Sequence, residues 1–186
     1  MKLVKKLTGI LEWIVAVVLL AICIYCYLFS YGSFTAENAF KASEKTSNYG
    51  PSEVKKVIDF ENEKIYLAKY KDWFSANAVR KASIKWYPQG TGGTPIDYNN
   101  KITHSYDGSS NGQNSFICKI YGYVNDPDIT EIDLEVSENG QNSTLKYNID
   151  SNKMFIFYWD DKIHHYSYTA LTGLNKDGQK VYEYKY

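Results

Sequence analysis

The residues best equipped for chemistry stand together at Asp160-Asp161-Lys162-Ile163-His164-His165. Carboxylates and imidazoles are the ligand types that hold a divalent cation, and His104 could join them through the fold. A metal-dependent envelope hydrolase is the activity such a site would imply. The spacing fits no common zinc pattern, however, and adjacent histidines on a strand point to opposite faces. A solvated loop between two strands collects the same residue types, and that is the preferred reading. Asp126 and Asp128 suggest calcium in a similar way, but Pro127 and the lack of a ligand series argue against it. Three scattered histidines and Cys118 form no nucleophile–base pattern. The run Pro88-Gln-Gly-Thr-Gly-Gly-Thr-Pro95 lacks the Lys-Ser/Thr ending of a phosphate loop and the helix behind it. No catalytic residue and no cofactor is assigned; Asp160, Asp161, His164 and His165 are the metal-ligand candidates.

The elements that would position these residues are mostly strands. Apolar stretches at Val54–Phe60 and Lys64–Tyr70 flank Glu61-Asn62-Glu63 in a hairpin-like arrangement. Phe74–Trp86 is long enough for two short strands, and 88–95 is a loop. Asp107–Ser115 reads as a turn leading into Phe116–Val124, and Asn125–Asp128 turns the chain again. Ile132, Leu134 and Val136 alternate with Glu131, Asp133 and Glu135, which predicts a strand with one apolar and one acidic face. Asn139-Gly140 is a hairpin signal, and Leu145, Tyr147 and Ile149 resume the alternation. Met154–Trp159 is apolar throughout, as in a strand covered on both faces. Asn-Gly-Gln-Asn-Ser occurs at 111–115 and at 139–143, both at expected turns.

The N-terminal segment has a different character. Trp13–Phe29 holds 17 residues without a charge, and extending back to Thr8 gives 22. At about 1.5 Å per residue the longer run reaches about 33 Å, enough for a hydrocarbon core of about 30 Å. Lys2, Lys5 and Lys6 precede it, Glu12 sits near one end, and Trp13, Tyr25, Tyr27 and Tyr31 fall near the two boundaries. The positive-inside rule then puts the N-terminus in the cytoplasm and residues 31–186 outside a bacterial plasma membrane. Cleavage near Ser33 or Ala36 is the alternative to a retained signal-anchor. A lipoprotein site at Cys23 is excluded because Ile22 stands where a small residue is required.

Composition narrows the function classes. Basic and acidic residues balance at 21 each over the 186 residues. Residues 120–186 carry 6 basic and 11 acidic groups, and no segment has the basic footprint of a nucleic-acid binder. Tyrosine supplies 18 of the aromatic residues. Such a content suits sheet packing; a carbohydrate platform would require the rings to lie together on one exposed face. Cys118 is the single cysteine outside the apolar run, so no disulfide forms within the folded part.

Two places resemble a broad group of uncharacterised, membrane- or lipid-anchored extracytoplasmic proteins of Bacillus and related Gram-positive bacteria. Lys85-Trp86 followed by Gly90, Gly92 and Gly93 is one. Ile120-Tyr-Gly-Tyr-Val-Asn-Asp-Pro-Asp-Ile129, with Asn175-Lys-Asp-Gly178, is the other. The resemblance implies a β-rich envelope protein and carries no activity with it.

The expectation is therefore a mainly β chain: a cytoplasmic tip and transmembrane helix over 1–30, a stalk with a short helix over 31–51, and an antiparallel β-sandwich or barrel-like domain over 52–186. A division into 52–115 and 116–186, a meander followed by an Ig-like sandwich, is left open. The expected role is a non-enzymatic binding or interaction domain that contacts an envelope protein or a cell-wall component. A metal-dependent hydrolase and an accessory subunit that modulates a membrane partner are the alternatives.

Overall fold

A computed structural model describes residues 2–29, 31–90, 92–110 and 116–186, with the side chains of the first helix described over 12–27. The chain divides into two compact units, Met1–Gly32 and Ser33–Tyr186.

The first unit is one helix, α1 (Lys2–Phe29), uninterrupted through the apolar run. Its described apolar side chains, from Trp13 to Tyr27, are at least half exposed. Among the described residues no helix is long and apolar enough to cross a membrane. The described side chains cover sixteen residues, about 24 Å of helix. The span expected over Thr8–Phe29 extends past them at both ends, and the side chains of 8–11, 28 and 29 lie outside the described residues.

The second unit is antiparallel β-structure with a helix on one face. Helix α2 (Ala36–Thr46) begins at Thr35, whose hydroxyl accepts from the Asn38 amide at 3.2 Å as an N-cap. Ala36, Ala39, Phe40 and Ser43 repeat at helical spacing and form its buried stripe. That stripe packs on Tyr66, Ala68, Val79 and Trp86, with Phe40 stacked on Tyr66 at 4.5 Å.

The sheet beneath α2 comprises β1 (Glu53–Phe60), β2 (Glu63–Tyr70), β3 (Trp73–Ala82) and β4 (Lys85–Pro88), with β5 (Thr94–Pro95) paired to β3. The Lys85-Trp86 pair closes one side of this sheet. Trp86 exchanges backbone hydrogen bonds with Ser33 at 2.7 and 2.9 Å, and the buried Lys85 ammonium lies 5.5 Å from the Phe34 ring centre.

A second sheet has the order β10-β7-β6, from β6 (Ile102–Ser110), β7 (Phe116–Val124) and β10 (Met154–Asp160). A third has the order β12-β11-β8-β9, from β8 (Ile129–Glu138), β9 (Gln141–Asn148), β11 (Ser167–Asn175) and β12 (Lys180–Lys185). The second sheet is the middle layer. Met154 and Ile156 of β10 and Tyr121 of β7 meet Ile65, Leu67, Phe74 and Ala76 of the first sheet. Phe155, Phe157 and Trp159 point the other way, with Cys118, Ile120 and Val124, onto Ile132, Leu134, Val136 and Leu171. Strand β10 is apolar from Met154 to Trp159, as suits a strand covered on both faces.

The alternation in β8 resolves as expected, with Ile132, Leu134 and Val136 in the core. Asn139 (φ 52°) and Gly140 (φ 80°) form the two-residue turn into β9, where both positions need the left-handed region. One expected turn is a strand instead. Asp107–Ser110 belong to β6 and pair with Lys119, Cys118, Ile117 and Phe116, while 111–115 lie outside the described residues. Asp107 reads as a turn residue from sequence, but its carboxylate is needed in the strand beside the buried Lys119.

Candidate functional site

The hydrophilic segment after β10 is a tight turn. Asp160 is buried, and its carboxylate accepts the Lys162 amide at 2.9 Å. Its carbonyl receives the Ile163 and His164 amides at 3.0 and 2.9 Å. These bonds fold the turn. The two histidines then go to different partners: His164 Nδ1 lies 3.3 Å from Glu138, and its ring stacks on Tyr166. His165 Nδ1 is 3.8 Å from Asp161, with the His165 side chain largely in solvent and that of Asp161 partly so. His104 packs against Tyr184 and Tyr186. Among the described residues, no group of three or more His, Cys, Asp or Glu side chains is placed to hold a metal ion.

The other candidates also have local roles. Asp126 accepts the Asp128 amide at 3.0 Å and pairs with Lys101 at 2.9 Å, and these two contacts hold its carboxyl below the usual range. Cys118 is buried, and burial pushes its thiol up, away from the reactive thiolate.

A groove of about 960 Å³ runs between α2 and the outer face of β1 and β2, past Phe40, Tyr49, Val57 and Tyr66. The buried carboxylate in its wall, Glu44, accepts the Ser52 amide at 3.1 Å and the Ser52 hydroxyl, so it anchors the 48–52 loop. Lys41 is paired with Glu37 and Lys64 with Asp59 on its rim. Its polar groups serve the fold.

A different surface emerges along the side of the second and third sheets. On β12 the alternation of Tyr182, Tyr184 and Tyr186 with Glu183 and Lys185 turns the tyrosines toward the core side. His104 of β6 meets Tyr184 and Tyr186 from the opposite sheet, and Tyr106 of β6 meets Tyr168 of β11. His104 lies edge-to-face with Tyr184 at 4.6 Å, and Tyr186 stands 5.2 Å from Tyr184 and 4.7 Å from Tyr168. Tyr106 lies 5.6 Å from Tyr168, and Trp159 and Tyr166 carry the ring contacts on to His164.

This side of the two sheets is where β6 and β12 each end a sheet, so rings rather than a further strand close it. Tyr106, Tyr184 and Tyr186 remain 46%, 44% and 44% exposed, more than sealing the core requires. Burial lowers the pKa of His104, disfavouring its charged form. Burial and the neighbouring tyrosines keep the Tyr186 phenol protonated.

Sequence reasoning missed this strip. The alternating tyrosines of 182–186 were visible, but the rings they meet come from positions 104, 106 and 168, which only the strand order brings near. His164 takes part in the ring series.

No family model, no curated protein and no solved structure matches this chain.

Proposed function

We propose that this chain is a non-enzymatic binding domain of the bacterial cell envelope, tethered in the plasma membrane by α1, with residues 31–186 on the outer side. The observation that carries the reading is the strip of half-exposed rings on Tyr106, Tyr184 and Tyr186. Tyrosine gives a large, rigid and amphipathic contact at low entropic cost, which suits recognition. The tether rests on the uncharged run after Lys2, Lys5 and Lys6 and on its continuity as one helix. The resemblance of Lys85-Trp86 with its glycines, and of Ile120–Ile129 with Asn175–Gly178, to anchored envelope proteins points the same way.

Two measurements test it. Protease added to intact cells should digest the 33–186 part, whereas protease added to sealed inside-out vesicles should spare it. A photo-crosslinking residue at position 184 of the full chain should capture an envelope component in intact cells, whereas one at Thr144, on a different surface, should not. Capture only from positions within α1 would instead favour an accessory subunit acting through its helix.

A further inference from the structure

We infer that residues 33–186 rest end-on against the outer leaflet of the membrane that holds α1, with Phe34, Ile84 and Ile163 set into the lipid interface. This rests on α1 being the tether and is independent of the tyrosine strip.

Chain length is the first argument. Phe29 closes α1, and Ser33 is already bound to Trp86 through two backbone hydrogen bonds of 2.7 and 2.9 Å. Four residue steps span at most about 14 Å. The polar layer outside the hydrocarbon is itself about 5–8 Å deep. Whatever direction the chain takes on leaving α1, the point where it enters the β-structure stays beside that layer.

Strand topology then gathers exposed apolar tips at the entry end. Every strand pair is antiparallel, so the turns alternate between two ends. The Ser33–Trp86 bridge sets Phe34 opposite Lys85, beside the Ser83-Ile84 turn between β3 and β4. The β1–β2 turn lies alongside, where the Lys81 amide donates to the Asn62 carbonyl at 2.8 Å. Phe60, at the end of β1, meets Tyr158 of β10 edge-to-face at 5.0 Å. The turn after β10 is tied to β7 by the Asp161 amide on the Phe116 carbonyl at 2.8 Å, and Ile163 stands on that turn. Phe34, Ile84 and Ile163 are 55%, 53% and 65% exposed.

The opposite end differs in kind. Its turns, after β2, β5, β7, β9 and β11, carry Asp72, Asp97, Asp126, Asp128, Asp150 and Asp177. The exposed rings there are Trp73 and Tyr98, and the Tyr98 hydroxyl donates to Asp72 at 2.9 Å. Such a rim suits water. Among the described residues of 33–186, Ile84 and Ile163 are the two large aliphatic side chains more than half exposed, and both stand at the entry end. Apolar tips on separate turns of the end nearest the anchor are what a bilayer interface accommodates.

The test uses the full chain in nanodiscs of phosphatidylcholine and phosphatidylglycerol, with and without a nitroxide on the lipid chain just below the headgroup. The Ile84 and Ile163 methyl signals should be lost to the nitroxide, and those of Ile96 and Ile149 at the opposite end should remain. Ile84→Asp combined with Ile163→Asp should free the Phe34 ring signals while α1 stays broadened; unchanged Leu134 signals confirm that the fold is intact. In cells, a photo-crosslinking residue at position 84 should capture phospholipid. Ile84 and Ile163 signals that persist beside broadened α1 signals would overturn the end-on contact and leave the tether standing. Equal loss at both ends, or capture of a protein at position 84, would overturn it as well. Unbroadened α1 signals would remove the contact and the tether together.

Discussion

The Lys119 ammonium reaches the Asp107 carboxylate at 2.7 Å across paired strands and also donates to the Ala76 carbonyl of the next sheet at 2.9 Å. One buried cation thus ties the middle sheet to the sheet that carries α2. The two partners are unequally desolvated: the Lys119 side chain is 2% exposed and that of Asp107 is 42% exposed.

That inequality sets the order of two substitutions. Asp107→Ala leaves a buried ammonium without the carboxylate that it hydrogen-bonds and should cost about 3 kcal/mol. Lys119→Met leaves a carboxylate that water can reach and one unpaired carbonyl, and should cost about 1–2 kcal/mol. Urea unfolding of both variants decides it; a larger loss for Lys119→Met would show that the lysine acts mainly by packing.

Glu63 predicts a pH dependence. Both its carboxylate oxygens are buried without a hydrogen-bond partner. Burial raises its pKa above 4.5, with Lys119 and Arg80 opposing the rise and Glu61 adding to it. The folded state therefore binds this proton more tightly than the unfolded chain. The stabilisation is full below the unfolded value and fades as pH rises through the folded one. Glu63→Gln should raise the melting temperature at pH 7 and leave it nearly unchanged at pH 4. An equal effect at both values would remove ionisation as the cause.

Gly122 predicts a steric failure. A Cβ there would come within 2.5 Å of the Phe155 ring and 2.6 Å of the Thr103 carbonyl oxygen. The ring is fully buried, and the backbone oxygen is held in the middle sheet. Gly122→Ala should cost about 2–3 kcal/mol, read as a lower denaturant midpoint at constant m-value.

Glu44 is the matching test for the helix-side loop. Its carboxylate holds both polar groups of Ser52, and charge-assisted bonds of this kind contribute about 1.5–3 kcal/mol. Glu44→Ala should lower stability on that scale and speed hydrogen exchange at the Ser52 amide far more than at Leu134 in the core. Uniform acceleration would mean that the loop has no independent opening.

Patterns local to the chain were legible without the fold. The short helix expected within 31–51 is α2, and its Thr35 cap acts within a single turn. The apolar face of β8 and the Asn139-Gly140 turn follow from alternation and from allowed backbone angles, which are properties of neighbouring residues. The apolar character of Trp13–Phe29 is likewise intrinsic to the sequence. Asp107 was misread because its composition signals a turn, while the force that keeps it in a strand comes from Lys119 on another one.

The tertiary structure alone decided which groups meet. Asp160, Asp161, His164 and His165 adjoin in sequence, yet the turn sends His164 to Glu138 and His165 to Asp161. Tyr106, Tyr168, Tyr184 and Tyr186 come from three strands and converge because β6 and β12 each end a sheet on the same side. Spacing along the chain determines which face of a strand a side chain takes; strand order determines what that face meets, and the ring strip is a product of strand order.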